Sequence, residues 1–554
     1  MFAKRPPDNN ARLKANLFRP AACLLSTALA TQWCGCKKSK SASDTQAKKE
    51  AAITREEQKK LRLNVNIPPP PTVDAPHEGP LDLLPAKEPG SYRVMRPVAV
   101  YRRPSTRAEL RGTIKKFTRL PRVAQVEGKG CTAGFLHLAA EAFVCMANLR
   151  KDKRPVRAKK QPTLGANNLT PGTYGYIRTG GAKLYPTLPD GYADKNGKPI
   201  KQSDTVRWAG KRFYKGMKFW RITTGHFIRG TRVRRFWPSR FAGVHLIKEK
   251  KRLPLVFMVS RRRRKIGEKI PPVPVYASIE AGIAKEKKAR AAAEAQKDTE
   301  KKTMKNGDVM AASTKQSNAP SKSKTSFPNE TSSAQKGPVV ARLKRYTVWP
   351  VDRVVEKGGH LWIHIPDKGW VSSELTRLAR FVDPPHGLHP RERWLDIDLD
   401  QQVLTAYRGR APIYTTLISA GVWKYPTPIG LFRITHKVAQ ANMRSAPTAD
   451  ETYRVDHVPW TMYFKGGYAI HGAYWHNGFG HARSHGCINL APKDARFIYH
   501  FTRPQVPPGW TSLYADAKHP GTAVRIRGTR TEREKRILQK RSRKTTPRKK
   551  TRSR

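Results

Sequence analysis

The stretch IHGAYWHNGFGHARSHGCINL, residues 470–490, gathers four histidines, a serine and a cysteine. A cysteine acts as a nucleophile when a neighbouring base or cation populates its thiolate and nearby N–H groups can hold a developing oxyanion. Cys487 is the candidate nucleophile. His485 sits two residues before it, so in an extended strand both point to one face, but neighbours that close rarely reach good hydrogen-bond geometry. His471 is better placed. The loop GAYWHNGFGHAR, residues 472–483, can bring it back on an adjacent strand as proton donor and acceptor. The carbonyl of Gly472 could orient the imidazole, and Gly486 lets the backbone beside Cys487 approach a substrate carbonyl closely. Tyr463 and Trp475 are candidates for lining the substrate groove. The rival use of these residues is zinc binding, with ligands drawn from His471, His476, His481, His485 and Cys487. Their spacings of five, five, four and two are unusual for a zinc site, so neither metal nor cofactor is expected. Taken singly, His476 and His481 fit structural roles in the loop.

Placing these groups requires strands. RWLDIDLDQQVLTAYRG at 393–409 alternates with period two around a turn, and APIYTTLISAG at 411–421 supplies another strand. Together with TPIGLF at 427–432 and the 470–490 stretch, these phrases resemble the L,D-transpeptidase catalytic domain, over residues 388–528. The resemblance implies a β-sandwich-like domain acting on peptidoglycan stem peptides through a cysteine thioester, releasing D-Ala and forming 3→3 cross-links or joining another amine. It assigns Cys487 as nucleophile, His471 as general acid/base, and His485 and Gly486 as the surroundings of the oxyanion. Ser484 opens the motif. Asn489 stands where many members have arginine, so its part in binding substrate is open. An L,D-carboxypeptidase, a cross-link hydrolase or a non-catalytic wall-binding scaffold are the alternatives.

The rest of the chain is far more polar. It has 554 residues, 38% of them hydrophobic, and carries 109 Lys+Arg against 41 Asp+Glu, a formal charge of +68. Such a balance excludes one compact core and suits anionic partners: lipid surfaces, envelope polymers or nucleic acid. The clusters RVRRFWPSR (232–240) and SRRRRK (260–265) would serve any of these, with envelope polyanions or lipid the more economical and nucleic acid the less favoured. At the N-terminus, basic residues precede the apolar run AACLLSTALATQW (21–33), of signal-peptide length. Ala28-Leu29-Ala30 fits one kind of cleavage, and Gly35-Cys36 fits a lipoprotein signal over residues 1–35 with lipidation at Cys36. The expected location is the periplasmic face of a membrane. Removal of that segment leaves Cys36, Cys131, Cys145 and Cys487, and Cys131 and Cys145 could pair in an oxidising compartment.

A Pro/Lys-rich tether is expected over 36–90, with order beginning near Ser91. Three weak repeats follow, each opening on a strand-like phrase with a central tyrosine: VAVYRRP, AKLYPTL and VPVYASI. They resemble bacterial SH3-like domains and are placed at 91–150, 165–247 and 253–382. The third is interrupted at about 281–337 by a charged insert, helical at first and then disordered. A basic disordered tail is expected over 529–554. The predicted fold class is mainly β: tandem small barrels, then the catalytic sandwich.

Overall fold

In the computed structural model, the described residues are 81–165, 168–202, 204–260, 270–305, 338–444, 454–531 and 534–535. Cys36, the signal segment, the basic run 261–265, the second half of the insert and most of the tail therefore lie outside them. All described residues belong to one unit, Val65–Arg554. The chain is mainly β, and among the described residues no helix is long and apolar enough to cross a membrane.

The strands that frame the site are β1 (Leu110–Ile114), β2 (Arg393–Asp398), β3 (Val403–Arg408), β4 (Ala411–Ser419), β5 (Gly430–Arg433), β6 (His436–Arg444), β7 (Arg454–Lys465), β8 (Tyr468–Gly472), β9 (Ile488–Leu490), β10 (Trp510–Tyr514) and β11 (Ala523–Arg527). Their order in the sheet is β5-β11-β2-β3-β4-β9-β8-β7-β6-β10-β1. The pairs β2·β11 and β8·β9 are parallel, the others antiparallel. Leu395, Ile397, Leu404 and Ile418 from one half share a core with Met462, Phe464, Ile470 and Ile488 from the other, so the sheet folds over on itself as a sandwich. Period-two alternation drives this, because each strand sends one face of branched apolar residues inward.

The helix Pro492–Phe501 closes the core through Ile498 and Tyr499. Its first turn carries Asp494, fully buried, whose carboxylate accepts hydrogen bonds from Tyr414 Oη (2.7 Å), Thr416 Oγ1 (2.5 Å) and the Gly243 amide (2.8 Å). At its other end the buried Lys437 ammonium donates to the carbonyls of Tyr499 and Thr502, which a helix C-terminus leaves unsatisfied. Asp494→Ala orphans three buried donors at once, and each such group costs about 1–3 kcal/mol. The expected result is a thermal midpoint lowered by several degrees, with Asp494→Asn less affected because it keeps an acceptor oxygen; calorimetry reads both.

Three β units precede this sandwich. In the first, Glu88–Val94 pairs with Arg119–Arg122 and Leu149–Asp152, and Cys131 is disulfide-bonded to Cys145. The second is a five-stranded sheet around Thr205–Tyr214, and the third builds on Leu255–Met258 and Val273–Tyr276.

Several expected boundaries move. Order begins before Ser91: Leu81 is buried in the first unit's core, and the Leu84 amide donates to Leu138 O at 2.8 Å. The flanking prolines hid this short apolar cluster. Residues 241–246, expected in the second unit, lie against the sandwich, where Val244–His245 pairs with β4 and Phe241 and Leu246 join a second apolar cluster that includes Val403 and Leu417 of the sandwich and Leu255 and Phe257 of the third unit. The insert's helix, Ile279–Lys305, does not start as a solvated element: Ile279 packs on Trp362, and Glu286 is buried beside His360 at 3.2 Å. Finally, Thr529 is not loose tail, because its amide and hydroxyl both donate to Asp400 at 3.0 Å.

Candidate active site

Parallel pairing of β8 with β9 sets Ile470 opposite Ile488 and His471 opposite Asn489. Cys487 immediately precedes β9, one position before the Ile488 that pairs with Ile470, so it adjoins the end of β8 that carries His471. The sheet register therefore brings together the two residues that 15 intervening positions separate in sequence.

Cys487 is the free cysteine among the described residues and is half-buried. Its Sγ lies 3.8 Å from Gly467 O. Burial pushes the thiol up to about 11, opposed in part by the Ala469 amide. His471 is buried, and burial holds its imidazole down to about 4. Its Nδ1 lies 3.5 Å from Gly472 O, a long contact that favours the tautomer protonated on Nδ1 and leaves Nε2 as the basic nitrogen. The resting pair is thus a neutral thiol beside a neutral imidazole, because the buried surroundings penalise thiolate and imidazolium alike.

The turn that carries Cys487 is built by Ser484 and Thr427. Ser484 Oγ donates to Cys487 O and accepts from the Gly486 amide at 3.0 Å. Thr427 Oγ1 accepts from the Gly421 amide (2.9 Å) and donates to Gly486 O (2.8 Å). Gly486 has φ +112°, and a Cβ there would meet the Tyr468 ring at 2.6 Å, so the position requires glycine. The Gly486 amide donates to Ser484 Oγ. Ser484 is itself buried and shapes the turn. Asn489 is buried, its Nδ2 3.0 Å from His476 Nε2, so it supports the loop rather than gripping a carboxylate. His485 is exposed, its ring 4.4 Å from that of Tyr425. Trp475 packs 5.7 Å from the His471 ring, and Tyr463 is half-buried, close enough to Cys487 to feel its charge.

The loop between His471 and Cys487 is held from outside the sandwich. Tyr474 stacks on Tyr174 of the second unit at 3.8 Å, and its hydroxyl donates to Thr205 Oγ1 and Asp456 O. Asn477 O accepts from Arg345 and Tyr346 of the third unit, both at 2.8 Å, and Gly480 O accepts from the half-buried Arg377 at 2.7 Å. Sequence reasoning missed Thr427 as a support and all of these distant clamps. TPIGLF was a usable signal for the first; nothing local marks the others. Among the described residues no group of three or more His, Cys, Asp or Glu is placed to hold a metal ion.

Residues 392–526 match the YkuD family, the L,D-transpeptidase catalytic domain. That L,D-transpeptidase-type domain contains β2 to β10, all but the last residue of β11, and both His471 and Cys487. Similar solved structures include the catalytic domain of an E. faecium L,D-transpeptidase, at 23% identity over 25% of this chain and 100% of that one, TM-score 0.20. L,D-transpeptidase 3 from Mycobacterium tuberculosis, with a faropenem-derived adduct, gives 19% identity over 28% of this chain and 72% of that one, TM-score 0.20. An L,D-transpeptidase from Mycobacterium smegmatis gives 22% over 32% and 76%, TM-score 0.21. No curated protein matches the chain.

Proposed function

We propose that the protein is an exported, lipid-anchored enzyme that cross-links peptidoglycan by L,D-transpeptidation, with three SH3-like units ahead of its catalytic domain. The observation that supports this is the parallel pairing of β8, which carries His471, with β9, which Cys487 immediately precedes, inside the segment that matches the L,D-transpeptidase domain.

The chemistry runs as acyl transfer. Cys487 Sγ attacks the carbonyl carbon of the third residue of a stem tetrapeptide while its proton passes to His471 Nε2. The C–N bond to the terminal D-Ala breaks, the leaving amine takes that proton, and a thioester remains. An acceptor amine then attacks the same carbon, His471 removes its proton, and the C–S bond breaks to return the thiol. With an amine from a second stem the product is a 3→3 link; with water it is a tripeptide. Since both groups rest neutral, proton transfer and attack belong to one step, and the Nδ1–Gly472 contact tightens as the imidazole becomes charged.

Purified protein incubated with a disaccharide tetrapeptide tests the proposal by mass spectrometry of the products. Dimers 3→3 linked are expected. Tripeptide alone would reassign the enzyme as a hydrolase, and no turnover would leave a wall-binding scaffold. Acylated Cys36 in membrane fractions is the expected result for the anchor, and an unmodified N-terminus in the cytoplasm would refute export.

A further inference from the structure

The outer face of the sheet carries a second row of residues that leads to the nucleophile. Tyr514 on β10 is opposite His436 on β6, His436 is opposite Tyr463 on β7, and Tyr463 is opposite Ala469 on β8. One step back from the Ile470–Ile488 pair, Ala469 lies beside Cys487. The three rings are stacked, His436 sitting 4.4 Å from Tyr463 and 4.6 Å from Tyr514, with interplanar angles of 10° and 12°. Neighbouring strands lie about 4.8 Å apart. Rings stacked at that spacing stand on the sheet like books on a shelf and turn their edges, with their oxygen and nitrogen atoms, outward.

The adjacent row on the same face behaves differently. Ser512, Val438 and Thr461 stand opposite one another in register, and His471 and Asn489 continue the row; Thr461, Ser512, His471 and Asn489 are all buried. Cys487, Tyr463, His436 and Tyr514 are each half-buried. The half-buried positions therefore run along the rings rather than along the His471 row, with Ala469, itself buried, between the Tyr463 ring and Cys487.

We propose that Tyr463, His436 and Tyr514 form a substrate subsite that binds an extended, uncharged peptide arm reaching from the bond attacked by Cys487. Four strand spacings from Cys487 to Tyr514 come to about 19 Å, a span that the three stem residues before the attacked bond cover together with the disaccharide they hang from. The row is also neutral: burial lowers the His436 imidazole and raises the Tyr463 phenol, so its edges offer hydrogen bonds to amides rather than charge to a carboxylate or an ammonium group. Alternate residues on the same strands, Lys437, Met462 and Leu513, turn into the core, which fixes the rings in place.

This subsite rests on the acyl-transfer reading, and the experiment separates the two. Turnover of a disaccharide tetrapeptide is measured for wild type, Tyr514→Phe and His436→Ala, alongside alkylation of Cys487 by iodoacetamide, a reagent too small to use the row. Both variants are expected to raise KM about fivefold or more while alkylation stays within twofold of wild type. Tyr514→Phe removes one hydroxyl, so it keeps the test decisive even if His436→Ala misfolds. A KM within twofold of wild type for Tyr514→Phe and for folded His436→Ala overturns the subsite alone. No turnover by wild type overturns the acyl-transfer reading and the subsite with it.

Discussion

Cys487→Ala ends release of D-Ala from a stem tetrapeptide, a loss on the order of 10⁴-fold or more, because removing a covalent nucleophile leaves only binding and electrostatic contributions. Residual release within tenfold of wild type would remove Cys487 from the chemistry altogether. The same thiol reports on its surroundings before any substrate arrives. With burial pushing it up to about 11, alkylation by iodoacetamide should rise steadily between pH 7 and 10. A thiolate stabilised by imidazolium would instead give a plateau from about pH 6, since a cationic neighbour lowers a thiol. The difference at pH 7 is large, because nearly all the sulphur is protonated in one case and ionised in the other.

His471→Gln is expected to lower kcat/KM by about 10²- to 10⁴-fold, the range for loss of a positioned acid/base group. Its pH signature is more telling than its size. The imidazole must be neutral to take the thiol proton, and burial holds it down to about 4. Activity in the wild type should therefore persist on acidification past 6.5, the ordinary histidine range, and fall only as pH approaches 4. The variant should lose that acid limb. A wild-type limb centred near 6.5 would mean that the general base is a solvated histidine rather than His471.

The sandwich and the strand pairing beside Cys487 were legible because both depend on local pattern. Period-two alternation marks β2 and β3, and the His-Gly phrase ends β8 while Ser-His-Gly-Cys runs directly into its partner β9. Ser484 and Asn489 show where such reading stops: a polar residue in a functional motif looks the same whether it meets substrate or satisfies the motif's own backbone. Only the hydrogen bonds from Ser484 to Cys487 O and from Asn489 to His476 decide it. The aromatic row was illegible as a unit. Tyr514, His436 and Tyr463 are scattered over 79 positions and meet only through sheet register, which no single segment encodes. Arg345 and Arg377 looked like part of an undifferentiated basic surface, although each ends on a loop carbonyl.

The join between β1 and β10 bears on where this molecule can be divided. Gly112 and Thr113 pair with Leu513 and Ser512, while Trp510 and Leu513 lie in the apolar cluster of the first unit. A fragment cut to residues 392–526 would bare the β10 edge, with its unpaired N–H and C=O groups, together with a tryptophan and a leucine. Exposed edges of that kind recruit strands from other copies. The boundary drawn by family similarity is thus not a boundary of folding, and a soluble catalytic fragment should retain the first β unit as its edge cover.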